Sequence, residues 1–132
     1  MANEKILVIE DNQINMMLVR DLLQLEGYTV LEAMDAEKGI QLAREHLPDL
    51  ILMDIQLPGM DGLEATRIIG QDPLLKKVPV VALTSHAMKG DEQMAREAGC
   101  IGYIAKPIDT RSINNTVSGF LSQIDRNNEE ES

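Results

Sequence analysis

The stretch Leu50-Ile51-Leu52-Met53-Asp54-Ile55-Gln56-Leu57-Pro58-Gly59-Met60-Asp61-Gly62 decides the fold. Its apolar run, Leu50 to Met53, is continuous rather than alternating, which is how a strand reads when helices cover both faces of a parallel sheet. The run ends on a carboxylate, Asp54. Pro58-Gly59 is a turn signal that carries the chain away from that carboxylate, and Gly62 starts the next helix.

The same alternation extends in both directions. Further continuous runs are Ile6-Leu7-Val8-Ile9 and Val80-Val81-Ala82-Leu83, with weaker ones at Thr29 to Ala33 and Gly102 to Ala105. Between them the apolar residues take a helical period. Ile14, Met17, Leu18, Leu22 and Leu25 are expected to share an inward face, as are Ala36, Ile40, Ala43 and Leu47, and Ile113, Val117, Phe120, Leu121 and Ile124. Asn12 or Asp11 can cap the first helix, Asp35 the second, and Asp109 or Thr110 the last. Gly27 stands where a left-handed residue closes a helix. Five β-α units with short connections make a doubly wound α/β sheet. The domain is expected over residues 1–124, with residues 125–132 a disordered acidic tail.

With 132 residues the chain has room for one domain. Hydrophobic residues are 44% and charged residues 26%, an ordinary globular balance. The aromatics are Tyr28, Tyr103 and Phe120 alone, which argues against a base-stacking nucleic-acid binder. Acidic residues outnumber basic ones 22 to 12, for a net charge of -10 that is repelled by phosphate backbones and anionic membranes. Neither nucleic acid nor membrane is an expected partner. Cys100 is the single cysteine and has no partner for an internal disulfide, so a reducing compartment fits. No apolar stretch has the length of a signal-peptide core or a membrane span, and a soluble cytoplasmic protein is expected.

In a sheet of this kind ligands gather beyond the carboxyl ends of the strands. Those ends carry Glu10-Asp11, Asp54, Thr84-Ser85 and Lys106-Pro107. Any one of them alone reads as a cap, a turn or a solvated charge. Together they do not. Three carboxylates crowded at one edge repel one another unless a cation or proton intervenes. Hard oxygen ligands without His or Cys nearby suit Mg²⁺ rather than zinc. Lys106 adds a positive point suited to a phosphoryl group.

Glu10-Asp11, Met53-Asp54, Leu57-Pro58-Gly59-Met60-Asp61-Gly62, Thr84 and Lys106-Pro107 resemble the signature of the response-regulator receiver domain, in order and spacing, over residues 4–124. The resemblance implies a flavodoxin-like five-stranded parallel sheet of order 2-1-3-4-5. It implies that Asp54 accepts a phosphoryl group from a phosphohistidine. Asp11, Asp54 and the backbone carbonyl of Gln56 would hold Mg²⁺, with Glu10 acting through a water. Lys106 would pair with the phosphoryl oxygens, or with Asp54 before modification. Thr84 and Tyr103 would form the switch, while Gln56 and His86 would tune the lifetime of the phosphoryl group. Lys106-Pro107 would be a cis junction.

Glu10 departs from the more usual Asp, and Ser85 from a frequent Ala; both leave the site usable. A flavin-binding protein of the same architecture would need a first loop rich in Gly, Ser and Thr. An aspartate-based phosphatase of the haloacid dehalogenase class would need a second Asp where Gln56 stands. The expectation is therefore a stand-alone response regulator in two-component signalling, a switch rather than an enzyme in the ordinary sense. Its partners would be a histidine kinase or histidine phosphotransfer protein and a downstream target bound on the face of the fourth helix, fifth strand and fifth helix. A receiver excised from a hybrid kinase and a phosphorylation-independent pseudo-receiver are the alternatives. The stretches Asp11 to Asn15 and His86 to Asp91 resemble single-domain cell-division regulators and, equally, hybrid-kinase receivers.

Overall fold

The computed structural model describes residues 4–57, 59–84 and 89–131. Among these residues the strands are β1 (Lys5–Ile9), β2 (Thr29–Ala33), β3 (Leu50–Asp54), β4 (Val80–Thr84) and β5 (Gly102–Ala105). They alternate with the helices α1 (Gln13–Leu25), α2 (Ala36–His46), α3 (Gly62–Gln71), α4 (Lys89–Ala98) and α5 (Ile113–Glu131). All pairings are parallel, and the strand order is β2-β1-β3-β4-β5, as the resemblance implies.

Successive side chains of a strand point to opposite faces, and both faces of this sheet are covered. Ile6, Val8, Leu50, Leu52, Val81 and Leu83 pack with Met16, Val19 and Leu23 of α1 and Ile113, Val117 and Leu121 of α5. Leu7, Ile9, Ile51, Met53, Val80 and Ala82 pack on the other side with Ala36, Ile40 and Ala43 of α2, Ala65 and Ile69 of α3, and Ala95 of α4. The central strands β3 and β4 are therefore buried along their whole length, which is why their sequences are apolar without alternation. Each such side chain taken fully out of water contributes about 1.5–3 kcal/mol.

Capping follows the sequence closely at three of the helices. Asn12 accepts the Asn15 N–H at 3.0 Å, Asp35 the Lys38 N–H at 2.8 Å and Asp61 the Glu64 N–H at 2.8 Å. Each satisfies one of the backbone donors a helix start leaves unpaired. Gly27 closes α1 with φ 95°, as its position suggests.

Three expectations need correction. The buried face of α1 is Met16, Val19 and Leu23, whereas Ile14, Met17 and Leu25 are 71%, 49% and 82% exposed. Apolar residues stand almost all round this helix, so its period alone does not fix which side turns inward. Leu47 is half exposed because it lies beyond α2, in the left-handed C-cap position at φ 48°. Asp109 does not cap α5 directly: its carboxylate accepts the Arg111 N–H at 2.9 Å in a preceding turn, and the helix starts at Ile113. The helix α5 itself runs to Glu131. No Pro or Gly follows Gly119 to stop it.

Candidate functional site

Each strand that contributes to the site delivers its residue at or just past its carboxyl end. Glu10 follows β1, and its N–H donates to Ala33 O at 3.0 Å, fixing it beside β2. Asp54 is the last residue of β3 and Thr84 the last of β4. Lys106 follows β5 and donates its N–H to Thr84 O at 2.7 Å, in front of a cis Lys106-Pro107 bond. That peptide is cis as the resemblance implies.

The side chains converge. Lys106 Nζ donates to Asp54 Oδ2 at 2.9 Å and lies 2.7 Å from Glu10 Oε2. Both are charge-assisted contacts, and the one to Glu10 is the shorter. Asp54 Oδ1 accepts the Gln56 N–H at 2.9 Å, and Glu10 Oε1 accepts the Asn12 N–H at 3.1 Å. Asp54 and Glu10 are 2% and 1% exposed; Asp11, by contrast, is open to solvent. Carboxylate oxygens of Glu10, Asp11 and Asp54 lie within 4.8 Å of one another.

Burial raises the Glu10 pKa, and the neighbouring Asp54 charge adds to that against the pull of Lys106 and the Asn12 N–H. For Lys106 burial acts downward, but the contacts with Glu10 and Asp54 outweigh it and the net shift is upward. The charged pair is thus held together in a nearly dry pocket.

One backbone contact shapes the rim. A Cβ on Gly62 would stand 2.2 Å from Asp54 O and 2.6 Å from Ile55 Cα, so only glycine lets α3 start this close to the end of β3. The sequence places Gly62 at a helix start, but it gives no sign of this approach to Asp54. The role of the Asn12 N–H in orienting Glu10 is likewise invisible before folding.

The donor set fits a hard divalent cation: three carboxylates within reach of one another and no nitrogen or sulfur ligand among them. Among known proteins, the model of the response regulator receiver domain matches residues 6–118. The chain belongs to the response regulator receiver family. This places it in two-component signalling, among signalling switches rather than enzymes of ordinary turnover. The polar-differentiation response regulator DivK of Brucella anthropi is 45% identical over 118 residues, 89% of this chain and 96% of that one. The receiver domain of the sensor histidine kinase PA1611 of Pseudomonas aeruginosa, solved with a magnesium ion in its active-site cleft, is 33% identical with a TM-score of 0.83. That match covers 92% of this chain and 99% of the other. The chemotaxis response regulator CheY4 of Vibrio cholerae is 25% identical with a TM-score of 0.84, covering 89% and 98%.

The receiver fold thus gathers Glu10, Asp11, Asp54, Gln56, Thr84 and Lys106 on one rim. Thr84 is buried at the end of β4. Tyr103 stands apart, half-buried on β5 opposite Ala82, beside a groove of about 300 Å³ lined by Pro107, Ser112, Ile113 and Thr116. Ser85 and His86 lie outside the described residues. No helix among the described residues is long and apolar enough to cross a membrane.

Proposed function

We infer that this response regulator accepts a phosphoryl group from a phosphohistidine onto Asp54 and uses the change to alter a protein-binding face. The observation that carries the reading is the buried Asp54–Lys106 pair, with Glu10 and Asp11 brought beside it from another strand end. Asp11, Asp54 and the Gln56 carbonyl are the residues to hold Mg²⁺, with Glu10 reaching it through a water. When bound, Mg²⁺ supplies the positive charge that lets an anionic carboxylate meet an anionic donor.

The rest is done by side chains. An Asp54 carboxylate oxygen forms the new P–O bond as the donor's P–N bond breaks. The bonding pair returns to the ring nitrogen, so a neutral imidazole leaves with a proton on its other nitrogen. Lys106 then exchanges its Asp54 contact for the phosphoryl oxygens. Thr84, one strand over from Asp54 and linked to Lys106 through its backbone carbonyl, is placed to turn its hydroxyl toward the new group. Tyr103, half-buried on the outer strand, follows it inward, and the groove beside it changes shape. Gln56 and His86 stand two positions past Asp54 and Thr84 and set how water reaches the acyl phosphate.

The donor is a histidine kinase or a histidine phosphotransfer protein, the target docks on the α4-β5-α5 face, and the setting is the cytoplasm. The match along nearly the full length of DivK supports a stand-alone regulator. The likeness to the PA1611 receiver supports a second reading, a receiver that serves within a longer kinase.

Intact mass after incubation with acetyl phosphate tests the reading. A gain of about 80 Da, one phosphoryl group, is expected with Mg²⁺ and is absent in Asp54→Asn or with chelator. No gain, together with no binding of beryllofluoride in Mg²⁺, leaves a pseudo-receiver and overturns the proposal.

A further inference from the structure

The end of the sheet opposite Asp54 carries features that phosphoryl transfer does not use. From Pro73 to Gly90 the chain has no acidic residue, its longest such stretch, although Asp and Glu together number 22 in 132. The turn that opens this stretch is firmly built. Asp72 accepts the Leu74 N–H at 2.9 Å through its carboxylate and the Lys76 N–H at 2.8 Å through its backbone carbonyl, and Leu75 is buried. What the turn shows to solvent is Leu74, 55% exposed, with Lys76 and Lys77. Neither lysine forms an ion pair among the described residues. The Arg44–Asp72 ion pair ties the turn to the end of α2. Leu47 stands one helical turn after Arg44, half exposed, at a φ of 48° that is unfavourable for any residue with a Cβ. Two leucines and two lysines are thus displayed around one ion pair, and nothing in the fold of a single chain covers them.

Charge of the opposite sign leaves the molecule at the same end. A Cβ on Gly102, the first residue of β5, would stand 2.6 Å from the Phe120 ring, so by Phe120 the helix α5 has reached the amino end of the sheet. Leu121 is its last core residue among the described side chains, and the helix continues to Glu131, about 15 Å further. This extension carries Asp125 and Glu129-Glu130-Glu131 against Arg126 alone. So short a helical piece is marginal in water without a surface to pack on. Its own chain does not offer that surface. Arg44 and Asp72 lie on the side of α2 and α3, whereas α5 packs on the other face of the sheet and runs straight past its end.

We propose that the amino end of the sheet is a self-association surface, on which the acidic end of α5 from one copy docks against Leu47, Leu74, Lys76 and Lys77 of a second copy. A twofold axis at this end lets each copy give its helix and receive the other's, so the contact closes as a dimer rather than propagating. The incoming carboxylates balance the two lysines, and the helix covers the two leucines. Two chains of net charge -10 repel at long range, but physiological salt screens that repulsion beyond about 8 Å and leaves the local contact. Asp54 lies at the opposite end of the sheet, and the contact needs no phosphoryl transfer.

Sedimentation velocity over a concentration series tests this with the full, unmodified chain at physiological salt and without Mg²⁺. Wild type should pass from monomer to dimer. Two variants reverse one side of the contact each: Lys76→Glu with Lys77→Glu, and Glu129→Lys with Glu130→Lys and Glu131→Lys. Alone, each should associate about tenfold more weakly or worse, because like charges then meet across the interface. Net charge by itself predicts the contrary for the second variant, whose chains repel less. Mixed in equal amounts, the two variants should associate nearly as well as wild type, since each helix end then meets a patch of opposite sign. Urea unfolding checks that both are folded. A wild type that stays monomeric throughout overturns the proposal. So does a dimer that the lysine reversal leaves intact, which would run through another face, and so does a mixture that fails to associate.

Discussion

Along β3, Leu52 and Asp54 are two residues apart, face the same side of the sheet and are both shut away from water, at 0% and 2% exposure. Their burial does opposite things. Leu52 sits among Ile6, Val8, Val81 and Leu83, and every contact it makes is favourable. Asp54 sits among Glu10, Asp11 and Lys106, where two buried carboxylates share one ammonium and a third carboxylate lies close by. The body of the sheet supplies the stability that its carboxyl rim consumes, and the rim keeps an unfavourable arrangement because it is the place where a cation and a phosphoryl group can be received. The boundary between the two regimes is one residue wide: Met53 belongs to the core, Asp54 to the site.

Truncation in the body gives the largest effect that this contrast predicts. Leu52→Ala should cost about 2–5 kcal/mol in urea unfolding, because the cavity lies between two central strands where little can collapse into it. A loss under about 1 kcal/mol would mean that the sheet interior is looser than its complete burial indicates.

At the rim the sign should reverse. Asp11→Asn removes one of three mutually repelling charges from a group already open to solvent, so little packing is lost. In chelator the variant should be more stable than wild type by about 0.5–1 kcal/mol, the usual scale for relieving an unfavourable surface charge. Mg²⁺ stabilises whatever folded state binds it, so titrating it in should close the gap and then invert it. A variant no more stable than wild type in chelator would show that Lys106 already balances the cluster.

Much of this contrast is visible in the sequence. The uninterrupted run Leu50 to Met53 marks a strand covered on both faces, and the charge that ends it marks the rim. With the strands placed, the topology alone brings Glu10, Asp54, Thr84 and Lys106 together. What the sequence hides is rotation and reach. Apolar residues at 14, 16, 17, 18, 19, 22, 23 and 25 give α1 no single hydrophobic side, and only packing against β1 and α5 selects Met16, Val19 and Leu23. Leu47 fits the period of α2 but falls just past its end. The contact of Glu10 with Lys106 joins residues distant in the chain, and the clash that forbids a side chain at Gly62 involves the backbone of another element. Neither has a local signature.

The smallest predicted effect lies away from both regimes, on the surface at the foot of α3, and it sharpens the contrast by supplying a carboxylate whose environment is favourable. Asp72 accepts Arg44 Nε at 2.8 Å and the Leu74 N–H at 2.9 Å, and the guanidinium first, then the backbone donor, hold its carboxyl below the ordinary range. A depressed acid contributes stability above its unfolded pKa and loses it as pH falls through its folded one. Asp72→Asn should therefore be less stable than wild type at neutral pH, with the difference shrinking on acidification until it vanishes once Asp72 is protonated. The effect should be small and fade with salt, because Arg44 is half exposed. Glu10 should behave in the opposite sense, since burial raises its pKa: protonation there relieves the folded state as pH falls from neutrality. Urea unfolding from pH 7 to pH 3 at low and high salt compares the two. If the Asp72→Asn difference were independent of pH, the Arg44 pair would contribute through geometry rather than charge, and the distinction between a well-placed surface carboxylate and the crowded rim would have to rest on burial alone.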